Sequence, residues 1–285
     1  MTEPHVPHHF ELTLEVPGTA AQVWDAIATA RGISAWLMPT ELEERAGGAV
    51  HFDRGPDGAS DGEVTAWEPN RRFAYEEDWA SLVGQAGAPV SPLATEFLVE
   101  ADSGGSCVVR VVTSAMGTGA DWENEFWDDM VRGWAPMLDN LRLYLAHFAG
   151  RDVVMFGARA ELGADPEAVM TALRDGLGAP QVGASVDARG VRGVVERVLP
   201  EHLLVRTTEP VAGLLSFFAF GGASDEAAGA AEATGSTVVV LQGHLYPEAD
   251  DPEAAKAYIA REEEPWTAWL ASLDAHVRDA TEIAR

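Results

Sequence analysis

Tyr75 and Glu77 stand two residues apart in RRFAYEED, where apolar and polar residues alternate. A strand over Arg72–Asp78 sends both to one face, because successive side chains leave a strand on opposite sides. A phenol beside a carboxylate can move a proton to and from a bound substrate. His51 is the other residue able to do such work. Its neighbours Val50 and Phe52 suit a buried face better, which leaves His51 pointing out.

The remaining reactive residue types do not assemble. His8 and His9 lie at the terminus, and His147, His202, His244 and His276 are scattered without an HExxH or His-x-His spacing. No metal and no cofactor is expected on that pattern. The single cysteine, Cys107, excludes an internal disulfide and a cysteine-built zinc site. Beside Val108 in a strand pattern, it reads as a quiet buried thiol. No GxSxG nucleophile elbow and no GxxxxGK[ST] phosphate loop occurs. The segment DWENEFWDDM, 121–130, carries five carboxylates and three aromatic rings. It reads as a solvated helix face with acids near the positive helix end. No residue is assigned as catalytic.

Large rings are what the first half has in quantity: Trp24, Trp36, Trp67, Tyr75, Trp79, Phe97, Trp122, Phe126, Trp127 and Trp134. With few polar partners among them, they suit either a filled core or the wall of a pocket for a flat, apolar molecule.

The elements that must position these rings follow from periodicity. Phe10–Val16 alternates as a strand, and Thr19 caps a helix through Thr29 that carries Val23, Trp24 and Ile27 on one face. A short helix is expected over Gly32–Leu37. Short strands follow over Ala49–Asp53, Glu63–Glu68 and Arg72–Asp78, the last two joined at Pro69-Asn70. Thr95–Ala101 and Cys107–Ser114 flank a hairpin at Asp102–Gly105. Phe73 and Tyr75 then share one face, as do Phe97 with Val99 and Val109 with Val111. The face of Glu63–Glu68 stays open, because Val64 and Trp67 fall on opposite sides of an ideal strand. Phe126, Met130, Trp134, Leu138, Leu141 and Leu145 mark a long amphipathic helix that stops at Gly150. Strands joined by hairpins make an antiparallel sheet, and a lone helix buries its apolar stripe on one face of it.

The second half repeats this order. Val153–Leu162 is a strand, and Asp165-Pro166-Glu167 opens a helix. Strands follow over Gly193–Leu199, His202–Thr208, Leu214–Phe220 and Ser236–Tyr246, and a final helix reaches Ile283. Trp134, Leu138, Leu141 and Leu145 match Trp266, Leu270, Leu273 and Val277 at a constant offset of 132. Val23, Trp24 and Ile27 match Val169, Met170 and Leu173 at an offset of 146. The difference equals about one short helix and one strand, which the second copy has lost. The reading is a duplicated domain, 1–150 and 151–285. Residues 222–235, rich in Ala, Gly and acid, read as a hairpin loop.

Composition bounds the function. The 285 residues carry a formal charge of −27, which repels nucleic acid and anionic membrane. No basic leader with an apolar core opens the chain, and the uncharged run 210–224 is too short to span a bilayer. A soluble, cytoplasmic protein is expected.

The first half resembles the START-like, or SRPBCC, superfamily, in the branch similar to the activator of the heat-shock protein 90 ATPase. The resemblance is carried by VPGTAAQVWDAIATARGISAWL (16–37), GGAVHF (47–52) and GEVTAWEPNRRFAYEEDW (62–79). TEFLVEADSGGSCVVRVVTSAMG (95–117) and GWAPMLDNLRLYL (133–145) complete it. The second half resembles the same fold through the internal repeat. The resemblance implies an α+β protein of two tandem helix-grip domains, each a curved antiparallel sheet wrapped on a long C-terminal helix. It also implies space between sheet and helix. Trp36, Phe73, Tyr75, Phe97, Val109, Val111, Phe126, Met130 and Trp134 are the residues expected to line it in the first domain. Binding of a small hydrophobic molecule there, lipid-like or aromatic and polyketide-like, without catalysis, is the first expectation. A co-chaperone-type or regulatory module with a protein partner is the second, and a cyclase or dehydratase using Tyr75 with Glu77, or His51, is the third.

Overall fold

A computed structural model describes residues 6–55, 58–102, 104–221, 236–248, 251 and 253–283. The chain forms two compact units, bounded at Arg151 and Asp152.

The first unit opens with β1 (Val6–Pro17) and α1 (Ala20–Ala28). Thr19 caps α1 through a reciprocal box, its side chain accepting from Gln22 N while the Gln22 side chain accepts from Thr19 N. Thr29 then starts α2 (Ala30–Ser34) by accepting from Gly32 N. This cap shifts the second helix toward the N-terminus relative to the expected Gly32–Leu37. It leaves Trp36 and Leu37 beyond the helix and turned into the core. Gly32 sits so close to α1 that a Cβ there would lie 1.8 Å from the Asp25 carbonyl oxygen.

The strands β2 (Thr40–Leu42), β3 (Ala49–Asp53), β4 (Ala59–Glu68), β5 (Arg72–Glu77), β6 (Leu93–Ala101) and β7 (Ser106–Gly117) complete one antiparallel sheet. Its order is β1-β7-β6-β5-β4-β3-β2. In this unit two elements escaped the periodic pattern, the edge strand β2 and the single turn α3 (Trp79–Leu82), which Asp78 caps. Both are too short to show a period. A β-bulge between Val64 and Ala66 pairs Val64 with Tyr75 and Trp67 with Phe73. One inserted residue therefore brings Val64 and Trp67 to the same face, and this resolves their odd spacing. Trp67 meets Trp24 edge-on at 5.4 Å.

The helix α4 (Asp121–His147) lies against β1 and α1. Its C-terminal half is the anchored part, with Leu138, Leu141, Leu143, Tyr144 and Leu145 buried.

The second unit consists of β8 (Val154–Leu162), α5 (Pro166–Leu177), β9 (Ser185–Ala188), β10 (Val191–Leu199), β11 (His202–Glu209), β12 (Gly213–Gly221), β13 (Thr237–Leu245) and α6 (Glu253–Ile283). Its sheet runs β8-β13-β12-β11-β10-β9, which is the first unit's order without the edge strand β2. No helix separates α5 from β9, so the second short helix is absent as well. Asp165 caps α5 with Pro166 at its start. Trp266, Leu270 and Leu273 join Val169, Met170, Leu173 and Phe217 in one core, the counterpart of Trp134, Leu138 and Leu141 with the first sheet. Each unit is a helix-grip fold, and the whole is α+β. The proposed hairpin loop 222–235 lies outside the described residues.

His202, at the start of β11, is buried and stacks on Phe218 at 4.6 Å with neither ring nitrogen hydrogen-bonded. Burial, helped by the charge of Arg197, lowers its pKa from the ordinary 6.5 to about 4. Between those values the unfolded chain binds a proton that the folded chain refuses. Stability is then full above pH 6.5 and falls as pH drops toward 4, by about 3 kcal/mol. His202→Phe is expected to flatten this slope in acid unfolding of the second unit. An unchanged slope would show that His202 is not its source.

Candidate functional site

The concave face of the first sheet is the place where the sequence expectations converge. Phe73 and Tyr75 on β5, Phe97 on β6 and Phe52 on β3 form its floor. Ile27 and Ile33 from the two short helices, and Trp36 and Leu37 from the turn after them, close over this floor. The rings touch in sequence: Phe52 to Tyr75 at 5.1 Å, Tyr75 to Phe73 at 5.6 Å, Phe73 to Phe97 at 6.2 Å and Phe97 to Trp36 at 6.5 Å. Trp36 also donates from Nε1 to the Ala26 carbonyl at 2.9 Å. Val109 and Val111 on β7 are fully buried. The space among the floor and roof residues has a volume of about 0 Å³ for a water-sized sphere. The rings therefore fill the gap that the fold leaves between sheet and short helices.

Of the nine residues expected to line one continuous cavity, Trp36, Phe73, Tyr75 and Phe97 meet in this closed cluster. Trp134 joins them from α4, edge-on to Phe97 at 5.8 Å. Phe126 and Met130 do not. They belong to a second cluster around Trp79, with Leu93, Trp122 and Trp127. Trp79 lies 5.0 Å from Trp122 and 5.2 Å from Phe126, and donates from Nε1 to the Ser91 carbonyl. The division has a physical cause. Phe126 and Met130 sit two and one helical turns before Trp134, so the rise of α4 carries them toward the other end of the sheet.

The two clusters differ in how firmly they are held. Trp122, Phe126, Met130 and Val131 are only half-buried, unlike the rings of the closed cluster. They stand on the N-terminal half of α4, which Gly133 and Pro136 separate from the anchored half. Pro136 has no N–H to give the preceding turn, and glycine weakens a helix. Gly133 is not demanded by packing, since an added Cβ would meet only Met137 Cε at 3.9 Å.

A row of polar groups crosses the otherwise apolar concave face. Tyr75 stands opposite Thr95 across the ladder, and Thr95 lies 3.4 Å from Thr113, hydroxyl to hydroxyl. Burial, with the nearby Glu77 charge, pushes the Tyr75 phenol far above its ordinary range. The Tyr75 phenol is thereby held neutral. Glu77 does share its inward face, but its carboxylate is engaged by Arg54 Nη2 at 3.1 Å, which also reaches Ser60 Oγ. Glu77 pairs across the ladder with Leu93, a member of the Trp79 cluster, so this ion pair borders the half-buried rings. Thr95 and Thr113 were legible by alternation, two residues from Phe97 and Val111. Arg54 follows β3 in a turn and gave no periodic signal.

A second polar pair holds the entry of α4. Glu123 is fully buried, not solvated as the acidic run 121–130 suggests. Its carboxylate accepts from Thr118 N and Oγ1 and from Gly119 N, at 2.6–2.9 Å, and Oε2 lies 3.6 Å from His8 Nε2. Burial alone would raise its pKa. The hydrogen bonds from Thr118 and Gly119, with the His8 ring close by, outweigh this and hold it below the usual carboxylate range. His8, taken as part of a terminus, is a buried β1 residue whose ring lies 5.0 Å from Trp127.

His51 points away from the concave face and bonds Asp61 at 2.7 Å, which raises its pKa. Cys107 is buried, lies 3.5 Å from the Gly18 carbonyl, and has its thiol pKa raised by burial. Among the described residues no group of His, Cys, Asp or Glu could hold a metal ion. No described helix is long and apolar enough to cross a membrane. In the second unit, Arg189 occupies the β9–β10 turn and covers Trp269 at 5.0 Å and Trp266 at 6.0 Å. The counterpart of Tyr75 there is Val205, since each pairs with the valine that precedes the bulge of its hairpin, Val64 and Val195.

Residues 17–146 match the family described as Activator of Hsp90 ATPase homolog 1-like protein. No curated protein matches the chain in sequence. Among solved structures, protein MLL2253 from Mesorhizobium loti is similar over 50% of this chain and 98% of its own, at 18% identity and a TM-score of 0.42. The di-domain ARO/CYC BexL from the BE-7585A biosynthetic pathway is similar over 95% of this chain and 98% of its own, at 14% identity and a TM-score of 0.42. DynU16, a protein of the dynemicin biosynthetic locus, is similar over 97% of this chain and 99% of its own, at 15% identity and a TM-score of 0.41.

Proposed function

We propose that the first domain, Activator of Hsp90 ATPase homolog 1-like over residues 17–146, binds a small apolar molecule without catalysis. The molecule enters between the concave face and the N-terminal half of α4, when that half-helix lifts about Gly133 and Pro136. The observation that carries this reading is the contrast along α4. Rings that are half-buried on one half, around Trp79, adjoin a buried row of hydroxyls, while the other half is anchored in the core. An apolar wall with a few fixed polar groups is the usual make-up of a small-molecule site. The carboxylates of this face are occupied: Glu77 by Arg54, and Glu123 by Thr118 and Gly119. That supports binding over proton transfer. The second domain, with Arg189 over its helix tryptophans, has a structural role in this reading.

Tryptophan fluorescence of the full chain, titrated with fatty acids and small fused-ring aromatics, tests it. Saturable quenching at one ligand per chain is expected. The Gly133→Ala, Pro136→Ala double variant stiffens α4, and is expected to slow association about tenfold while raising stability. A panel in which no member quenches would overturn the reading and favour a protein-interaction module. An unchanged association rate in the stiffened variant would refute entry through α4.

A further inference from the structure

We infer that Arg54 is a ligand-reading residue of this site, and that the ligand carries a neutral oxygen acceptor, a ketone or an equivalent carbonyl, on its apolar body. The inference rests on the proposed binding site and names the chemistry of its occupant.

Arg54 leaves the end of β3 and turns its guanidinium toward the inward face of β4 and β5. One nitrogen, Nη2, serves Glu77 at 3.1 Å and Ser60 at 3.3 Å. The Nε–H is buried and has no hydrogen-bond partner. A buried donor left unmade is costly, and most such groups in folded proteins find a partner. Glu77, its ion-pair partner, faces Leu93 of the Trp79 cluster across the ladder, which puts the pair next to the proposed site. The Arg54 side chain is 29% exposed and Glu77 only 5%, so the pair sits at the rim of the interior with the arginine outermost.

Charge decides which acceptor fits. Glu77 already balances the guanidinium at close range, so an incoming carboxylate would meet a like charge without a free counter-charge. A carbonyl oxygen accepts from Nε–H and adds no charge to the interior. Tyr75 stands next along the same face as a neutral phenol, which adds no positive charge that would favour an anion.

Three isosteric probes on the full chain test this by calorimetry: 2-acetylnaphthalene, 2-isopropylnaphthalene and 2-naphthoate. The ketone is expected to bind at least tenfold more tightly than the hydrocarbon, and more tightly than the carboxylate. Arg54→Lys keeps a cation for Glu77 and removes the Nε–H. It is expected to bring the ketone within about twofold of the hydrocarbon. A second variant, Arg54→Met, with thermal unfolding alongside, separates loss of recognition from loss of fold. Equal affinities for ketone and hydrocarbon in the unaltered protein would overturn this inference and leave the binding site standing. So would a preference for naphthoate, or a ketone preference that survives Arg54→Lys. If none of the probes binds, both the site and its acceptor chemistry are refuted.

Discussion

Replacing Trp36 with alanine is expected to destabilise the first domain by about 3–5 kcal/mol and to open a void that takes indole. Trp36 is wholly buried, packs on Phe97 and donates to the Ala26 carbonyl. The space it helps to enclose has a volume of about 0 Å³, so nothing nearby is free to move in and refill it. Truncation removes the transfer energy of the ring, leaves an apolar hole, and strands a carbonyl. Because the chain has two domains, a single melting curve mixes two transitions. Hydrogen exchange on β5 and β6 reads the first domain alone. Indole added to Trp36→Ala is expected to restore part of the lost protection, with no effect on the unaltered protein. A loss below about 1 kcal/mol would mean that the two short helices collapse onto the sheet easily, which this packing does not allow.

Glu123→Gln is the second large effect, at about 3 kcal/mol. The carboxylate accepts from Thr118 and Gly119 at the entry of α4, in a place so tight that a Cβ on Gly117 would lie 2.1 Å from Glu123 Oε2. An amide presents a donor to those donors. The loss is expected to show first as fraying of the Asp121–Met130 turns, since the anchored half of α4 does not depend on this contact. The acid dependence follows from the lowered pKa. A carboxylate whose folded pKa is depressed contributes stability that is full above its unfolded value, near 4.5, and is lost as pH falls through the folded value. Acid-induced exposure of the Trp79 cluster, read by tryptophan emission below about pH 4.5, is expected to disappear in Glu123→Gln. Unaltered acid behaviour would assign the effect to another group.

Much of the fold was legible because it rests on local rules. The Thr19 and Asp165 caps, the Pro69-Asn70 turn and the heptad-like stripe of α4 each follow from one residue type at one spacing. The repeat at an offset of 132 was legible for the same reason, and so was the outward direction of His51. Elements of three or four residues were not, because β2 and α3 are shorter than the period that would reveal them. Nor could the partners of Val64 and Trp67 be read, since a bulge changes the phase of a strand without a compositional mark. His8 and Glu123 were misplaced because each sits in a polar stretch, and burial of a polar group is decided by what closes over it.

The candidate site divides along the same line. From its own residues the chain determined which rings face inward, that Tyr75 and Glu77 share a face, and that no nucleophile or metal motif accompanies them. Alternation along a strand reports direction, and direction survives whatever the rest of the chain does. Only the tertiary structure decided how far apart the facing surfaces stand, since that distance depends on ring volumes meeting across elements. It brought Trp36 down onto Phe97, carried Phe126 and Met130 to Trp79, and left the Arg54 Nε–H buried and unmatched beside Glu77.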